Sequence, residues 1–255
     1  MTDVFKVADL FVDLVRREAP ADVALIVYYG SYATGTATAT SDLDLFYIPD
    51  EGKESAMYER LYRSVIYQDR AFEFWPVSWA FAERIASGQH HWCVAPSIIA
   101  NARVLYARSE VDAQRFAALQ AQIAAQQKPE NRGAMIKQAH DAFQPATQAL
   151  YRVQVAADQG DLIGVRWACT QLVDALLDAL ALLNQTFFAK NWASDMTQLA
   201  QLTIQPDDLA ARIEALITTA DLDAAHRQAA RLTADVRAVI TAETRTLHEE
   251  ADLAG

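Results

Sequence analysis

Val4, Val7, Ala8, Phe11, Leu14 and Val15 recur at the spacing of one helix face, and the pattern stops before Pro20. The next stretch, VALIVYY (23–29), is a continuous apolar run of strand length, the signature of a strand covered on both faces. LDLFYI (43–48) predicts a second strand, closed by Pro49 and a polar turn. A helix is expected to follow through Met57, Leu61 and Val65. AFEFWPV (71–77) alternates as a third strand. Trp79, Phe81, Ala82 and Ile85 predict a short helix up to Gly88, and RVLYA (103–107) a fourth strand.

From about residue 109 the texture changes to Ala, Leu and Gln, with almost no strand signal. Helices are expected over 115–127, 130–158, 161–189, 195–202, 206–219 and 221–250. Pro145 should kink or restart the second of these. Asp161 is placed to cap the third, which carries Leu172, Val173, Leu176, Leu177, Leu180 and Leu183 on one face. Helices joined by short loops form a bundle. The expected class is α+β: a mixed sheet with flanking helices over 1–108, then a helical bundle over 109–255.

Composition narrows the function. The chain has 255 residues, 52% hydrophobic and 22% charged, with 33 acidic against 22 basic residues and a net charge of -11. A protein that follows nucleic-acid backbone needs clustered Lys and Arg, so no nucleic-acid partner is expected. Two cysteines, Cys93 and Cys169, form no disulfide framework and suit a reducing cytoplasm. The N-terminus lacks the pattern of a signal peptide, and no run of about 18 apolar residues predicts a membrane span.

Glycine is scarce, yet Gly30 and Gly35 bracket GSYATG at the end of the first strand. Gly-Ser there, opening a short helix, offers backbone N–H groups and a hydroxyl to an anion; taken alone it reads first as an ordinary strand-to-helix turn. Asp42 and Asp44 follow in SDLDL. Positions i and i+2 of a strand share a face about 6.5–7 Å apart, so the two carboxylates project together while Leu43 and Leu45 face the core. Like charges so placed call for a cation, and Mg²⁺ binds through one or two carboxylates plus substrate phosphates. The pair alone could also be a solvated strand face. Glu73, between Phe72 and Phe74, adds a third acid if its strand neighbours the second. Together the three features would cradle a triphosphate and hold two metal ions for in-line displacement.

These residues, YYGSYATGTATATSDLDLFYIP (28–49) with AFEFWP (71–76), resemble the nucleotidyltransferase superfamily typified by DNA polymerase β. Within it the chain is similar to the bacterial kanamycin and lincosamide nucleotidyltransferases, which also place a helical domain behind the catalytic one. The resemblance implies that Gly30 and Ser31 contact nucleotide phosphates and that Asp42, Asp44 and Glu73 coordinate Mg²⁺ as the catalytic acids. Lys137 would reach the phosphates from the helical domain, and Asp141, one turn on, would be the general base. Many relatives have Arg a few residues after Gly-Ser, where this chain has Thr34.

The implied reaction moves a nucleoside monophosphate, AMP from ATP, onto a hydroxyl of a small molecule, with an antibiotic as the suggested acceptor. A weak or inactive nucleotide-binding or regulatory module is the alternative that Thr34 motivates. A homodimer is the assembly the relatives suggest. Lys137 and Asp141 could also be a plain surface ion pair. His140 has the intrinsic pKa of a base but no evident partner. Asp174 and Asp178, one turn apart, could meet an ammonium-bearing substrate or line a solvated edge. His90, His91 and Trp92 lack metal-pair geometry, though Trp92 could stack on a base or acceptor.

Overall fold

The structure is a computed structural model and describes residues 4–67, 70–89 and 93–254. The chain divides into two compact units, residues 1–89 with 95–125, and residues 90–94 with 126–255.

The first unit is built on a five-stranded sheet. Its strands are β1 (Val23–Tyr29), β2 (Leu43–Pro49), β3 (Arg63–Tyr67), β4 (Arg70–Pro76) and β5 (Arg103–Ala107). They lie in the order β3-β4-β2-β1-β5, with β2 and β4 parallel and the other pairs antiparallel. The central strands β1 and β2 are buried through most of their length; β1 is an unbroken apolar run and β2 is interrupted only by Asp44. Helix α1 (Val4–Glu18) lays Val4, Ala8, Phe11, Val12 and Val15 on one face of the sheet, against Leu43, Leu45, Tyr47, Phe72 and Phe74. Met57 and Leu61 of α3 (Glu54–Leu61) join this core. Phe11 stacks on Phe74 with ring centroids 4.4 Å apart.

The rest of the unit comprises the short α2 (Gly30–Thr34), α4 (Trp79–Ala86), α5 (Ala95–Asn101) and α6 (Glu110–Gln126). Phe116 of α6 meets Phe46 of β2. Gln120 of α6 donates to the carbonyls of Ile99, Ala100 and Ala102, closing the C-terminal end of α5.

Two expectations change here. The helix read through Val65 ends at Leu61, and residues 63–67 form the edge strand β3. Val65, Ile66 and Tyr67 are β-branched or aromatic, so strand propensity prevails over the helical spacing that Val65 shares with Met57 and Leu61. AFEFWP therefore belongs to the fourth strand, and RVLYA to the fifth. Helix α5 lies between them, where no element was expected.

The second unit is helical: α7 (Arg132–Asp158), α8 (Leu162–Leu183), α9 (Leu209–Thr218) and α10 (Leu222–Ala254), with a 3₁₀ turn at Met196–Gln201. Helices α7 and α8 form its main pair, and α10 packs on both. The leucine face of α8 is buried throughout, and Asp161 caps the helix by accepting from the Gly164 N–H at 2.9 Å. Pro145 neither ends nor restarts α7. Its ring removes one intrahelical bond, but Ala142, Phe143, Ala146 and Ala149 on either side are buried, and that packing carries the helix through. The segment 195–202 is a 3₁₀ rather than an α-helix, and α8 ends at Leu183 instead of running to 189.

Candidate active site

The sheet's hydrogen-bond register sets the geometry of the site. Tyr29 pairs with Asp44, Asp44 with Glu73, and Glu73 with Ser64, a single row across β1, β2, β4 and β3. Register partners project to the same face, so the alternation that sends Leu43 and Leu45 into the core turns Asp44 and Glu73 the other way. Asp42 sits immediately before β2, exposed. Asp44 is half-buried and Glu73 is exposed. The middle of β4 is thus no apolar trap for its acid: Phe72 and Phe74 face the core and Glu73 faces out.

Asp44 feels the other two acids. Burial, then the charges of Asp42 and Glu73, push the Asp44 carboxyl up to about 6. No hydrogen bond or ion pair from a described residue reaches any of the three. Behind them lies an aromatic wall in which the Trp75 Nε1–H donates to the Tyr29 hydroxyl at 2.9 Å, with Phe46 tilted against both rings. Burial and the neighbouring acids hold the Tyr29 hydroxyl well above its ordinary range.

Gly30 meets Asp44 directly. Its φ is +70°, and a Cβ there would stand 2.6 Å from Asp44 Oδ2. Only glycine lets the backbone pass so close to the carboxylate in that conformation. Gly35, at φ +75°, ends α2 and returns its N–H to the Ser31 carbonyl. Ser31 is half-buried in the first turn of α2. Thr34, where relatives place Arg, folds its hydroxyl back onto the carbonyls of Gly30 and Ser31 at 3.2 and 3.3 Å and onto the Thr36 hydroxyl.

The donor set suits a hard divalent cation: three carboxylates, two of them register partners, with no described cation beside them. Among the described residues no three His, Cys, Asp or Glu side chains are gathered closely enough to enclose a metal ion by themselves. An arrangement left open for phosphate oxygens and water is what Mg²⁺ takes, since it seldom uses an all-protein cage.

The remaining candidates lie in the second unit. Lys137 and Asp141 are exposed, one turn apart on α7, and do not form the ion pair that their spacing allows. His140 is committed: its Nε2 lies 2.8 Å from the Thr244 hydroxyl of α10. Asp174 accepts from the Trp192 indole N–H, and Asp178 from the Cys93 backbone N–H at 2.8 Å. Both carboxylates line a cavity of about 240 Å³ within this unit, with Cys93, Phe188, Asn191 and Trp192. Burial raises both, Asp178 to about 6, where the Asp174 charge adds to the effect. They are therefore not a solvated edge. Burial likewise raises the thiols of Cys93 and Cys169, which are core groups. His90, His91 and Trp92 lie outside the described residues.

Sequence reasoning passed over Tyr29 and Arg70. Tyr29 directly precedes Gly-Ser, at the end of a strand whose final residues emerge from the core, and that place could have marked it. Arg70 carries no sequence signal, because its partners lie in a loop some thirty residues earlier.

Residues 9–100 match the family model described as "Nucleotidyltransferase domain". The matched stretch takes in Gly30, Ser31, Asp42, Asp44 and Glu73, and it supports the superfamily that the motifs resemble. A solved structure titled as a nucleotidyltransferase-like protein from Exiguobacterium sibiricum is 9% identical, covers 95% of this chain and 76% of that chain, and has a TM-score of 0.49. No curated protein matches the chain. Among the described residues no helix is long and apolar enough to cross a membrane.

Proposed function

We propose that the chain is a Mg²⁺-dependent nucleotidyltransferase that moves AMP from ATP onto a hydroxyl of a small molecule and releases pyrophosphate. The observation that carries this reading is the row in which Asp44 and Glu73 pair across β2 and β4 beside Asp42, with the Gly30 backbone held against Asp44. Asp44, half-buried beside the charges of Asp42 and Glu73, is costly to ionise unless a cation joins it. Asp42, Asp44 and Glu73 would hold Mg²⁺, two ions in the full complex. The metal, when bound, neutralises triphosphate charge and acidifies the acceptor hydroxyl.

The chain's own residues do the rest. The Gly30 and Ser31 turn seats the phosphates, and Lys137 is the proposed phosphate contact from the helical unit. Asp141 is the proposed base that takes the hydroxyl proton as the acceptor oxygen bonds to the α-phosphorus and the bond to pyrophosphate breaks. Asp174 and Asp178 favour a cationic acceptor, of which an aminoglycoside is one example, because two half-buried carboxylates in an aromatic-walled cavity suit an ammonium group. A second reading, a regulatory or weakly active module that binds nucleotide, rests on Thr34, which spends its hydroxyl on its own helix turn and offers no cation to phosphate.

The test is pyrophosphate release by purified protein with MgATP and a panel of hydroxyl acceptors, cationic and neutral, alongside nucleotide binding. Nucleotide binding without release for any acceptor would favour the regulatory reading. The absence of both would overturn the proposal.

A further inference from the structure

Arg70 opens β4, three residues before Glu73, and is only 9% exposed. Among the described residues its guanidinium donates three hydrogen bonds. Nη1 reaches the Tyr32 hydroxyl at 2.8 Å and the Ser41 carbonyl at 3.2 Å, and Nη2 reaches the Ala39 carbonyl at 2.6 Å. Tyr32 belongs to α2, the turn that begins with Gly30 and Ser31. Ala39 and Ser41 belong to the loop that delivers Asp42 to the start of β2.

That loop has little else to hold it. It contains no regular element, and residues 36–40 are exposed. Its internal bonds are local: the Thr38 N–H donates to the Ser41 hydroxyl, and the Ser41 N–H to the Thr38 carbonyl. Two of the three bonds from Arg70 go to backbone carbonyls, so they fix the course of the chain whatever the loop's side chains are. Among the described residues no carboxylate forms an ion pair with Arg70, so its fork is directed at the loop and at Tyr32. A planar fork with several fixed donors can tie three points together; an ammonium cannot match that geometry.

We infer that Arg70 is a positioning residue that ties the Gly30–Thr34 turn and the 39–41 loop to β4, setting Asp42 beside Asp44 and Glu73 for divalent-ion binding. The same strand then supplies one acid directly, through Glu73, and fixes the approach of another. An arginine thus reaches the Gly-Ser turn from a different strand, bonding the Tyr32 hydroxyl there while its other two bonds hold the carbonyls of the 39–41 loop. This inference rests on the metal reading proposed above.

The experiment compares wild type with Arg70→Lys, Arg70→Met and Tyr32→Phe in two measurements, neither of which needs turnover. Mn²⁺ titration without nucleotide, followed by electron paramagnetic resonance, reads ion affinity. Hydrogen exchange reads the amides of residues 36–42 against those of β1. Groups that orient metal ligands typically change affinity ~10–100-fold when removed, and a loss in that range is expected for Arg70→Lys. Exchange at 36–42 should rise while β1 stays protected. Tyr32→Phe, which deletes one bond of three, should move both readouts less and in the same direction, and it serves if neither Arg70 variant folds. Wild-type Mn²⁺ affinity and unchanged exchange at 36–42 in these variants would overturn the inference. If wild type itself takes up no Mn²⁺, either alone or with a nucleoside triphosphate present, the metal reading fails and the purpose assigned to Arg70 fails with it; the exchange data then show separately whether Arg70 holds the loop.

Discussion

Asp44 of β2 and Glu73 of β4 are register partners across the parallel seam of the sheet, and no described Lys, Arg or His side chain pairs with either. Their spacing is set by backbone hydrogen bonds, so side-chain rotation can relieve the repulsion only in part.

Asp44→Asn removes a carboxylate whose charged form is disfavoured by burial and by its two neighbours. The metal-free variant should therefore be more stable than wild type at pH 7.5, by up to a few degrees in Tm. Mg²⁺ should raise the Tm of wild type and leave the variant unmoved. Nucleotidyl transfer should fall on the order of 10³-fold, because several kcal/mol of charge stabilisation is lost. Thermal denaturation with and without Mg²⁺, together with pyrophosphate release, checks all three. A variant less stable than wild type would contradict the reading.

Gly30→Ala and Gly35→Ala separate backbone strain from collision. Both residues have positive φ, which should cost about 1–2 kcal/mol for alanine in either place. Only at Gly30 would the new methyl meet a carboxylate; nothing lies within 4 Å at Gly35. Chemical denaturation should show comparable losses, with Gly30→Ala the larger, whereas Mn²⁺ affinity should drop only for Gly30→Ala.

Asp178 gives a pH signature. Its carboxyl titrates near 4 in the unfolded chain. Burial, with Asp174 nearby, lifts it to about 6 in the folded one. Between those values the folded state keeps a proton that the unfolded state has released, so stability falls as pH rises from about 4 to 6 and then levels off. Asp44 contributes in the same direction without metal. Asp178→Asn, which can still accept from the Cys93 N–H, should flatten part of this slope. Urea midpoints measured across that range test it.

His140→Ala should behave as a structural change. Loss of the bond to Thr244 should cost about 1 kcal/mol. The pH–rate profile of transfer should keep its shape, since that imidazole nitrogen is already engaged. A profile that loses its acidic limb would make His140 the base in place of Asp141.

The fold was read well where pattern and packing agree. The apolar run 23–29, the alternation through Asp42–Leu45 and the leucine face of α8 each have one physical solution. Reading failed where a local signal competed with a distant one. Val65 shares a helical spacing with Met57 and Leu61, yet it pairs with Phe72 across the sheet edge. Pro145 looked like an interruption because the burial of Phe143 and Ala146 is a property of the bundle rather than of the segment. The strand setting of Asp44 and Glu73 was legible in the sequence. Their support was not, since the bonds from Arg70 to Ala39 and Ser41 and from Trp75 to Tyr29 depend on register between strands far apart in sequence.

The parallel pairing of β2 with β4 also bears on how the chain reaches its folded state. Parallel neighbours cannot close through a hairpin, and here α3 and β3 must be laid down between them. Contacts of such sequence separation form slowly, because loop-closure entropy opposes them until neighbouring packing is in place. Asp44 and Glu73 are therefore brought together only once that seam closes, with their mutual repulsion as one of its barriers. On the metal reading proposed above, a divalent ion present during refolding should hasten that closure, and refolding rates with and without Mg²⁺ would check it.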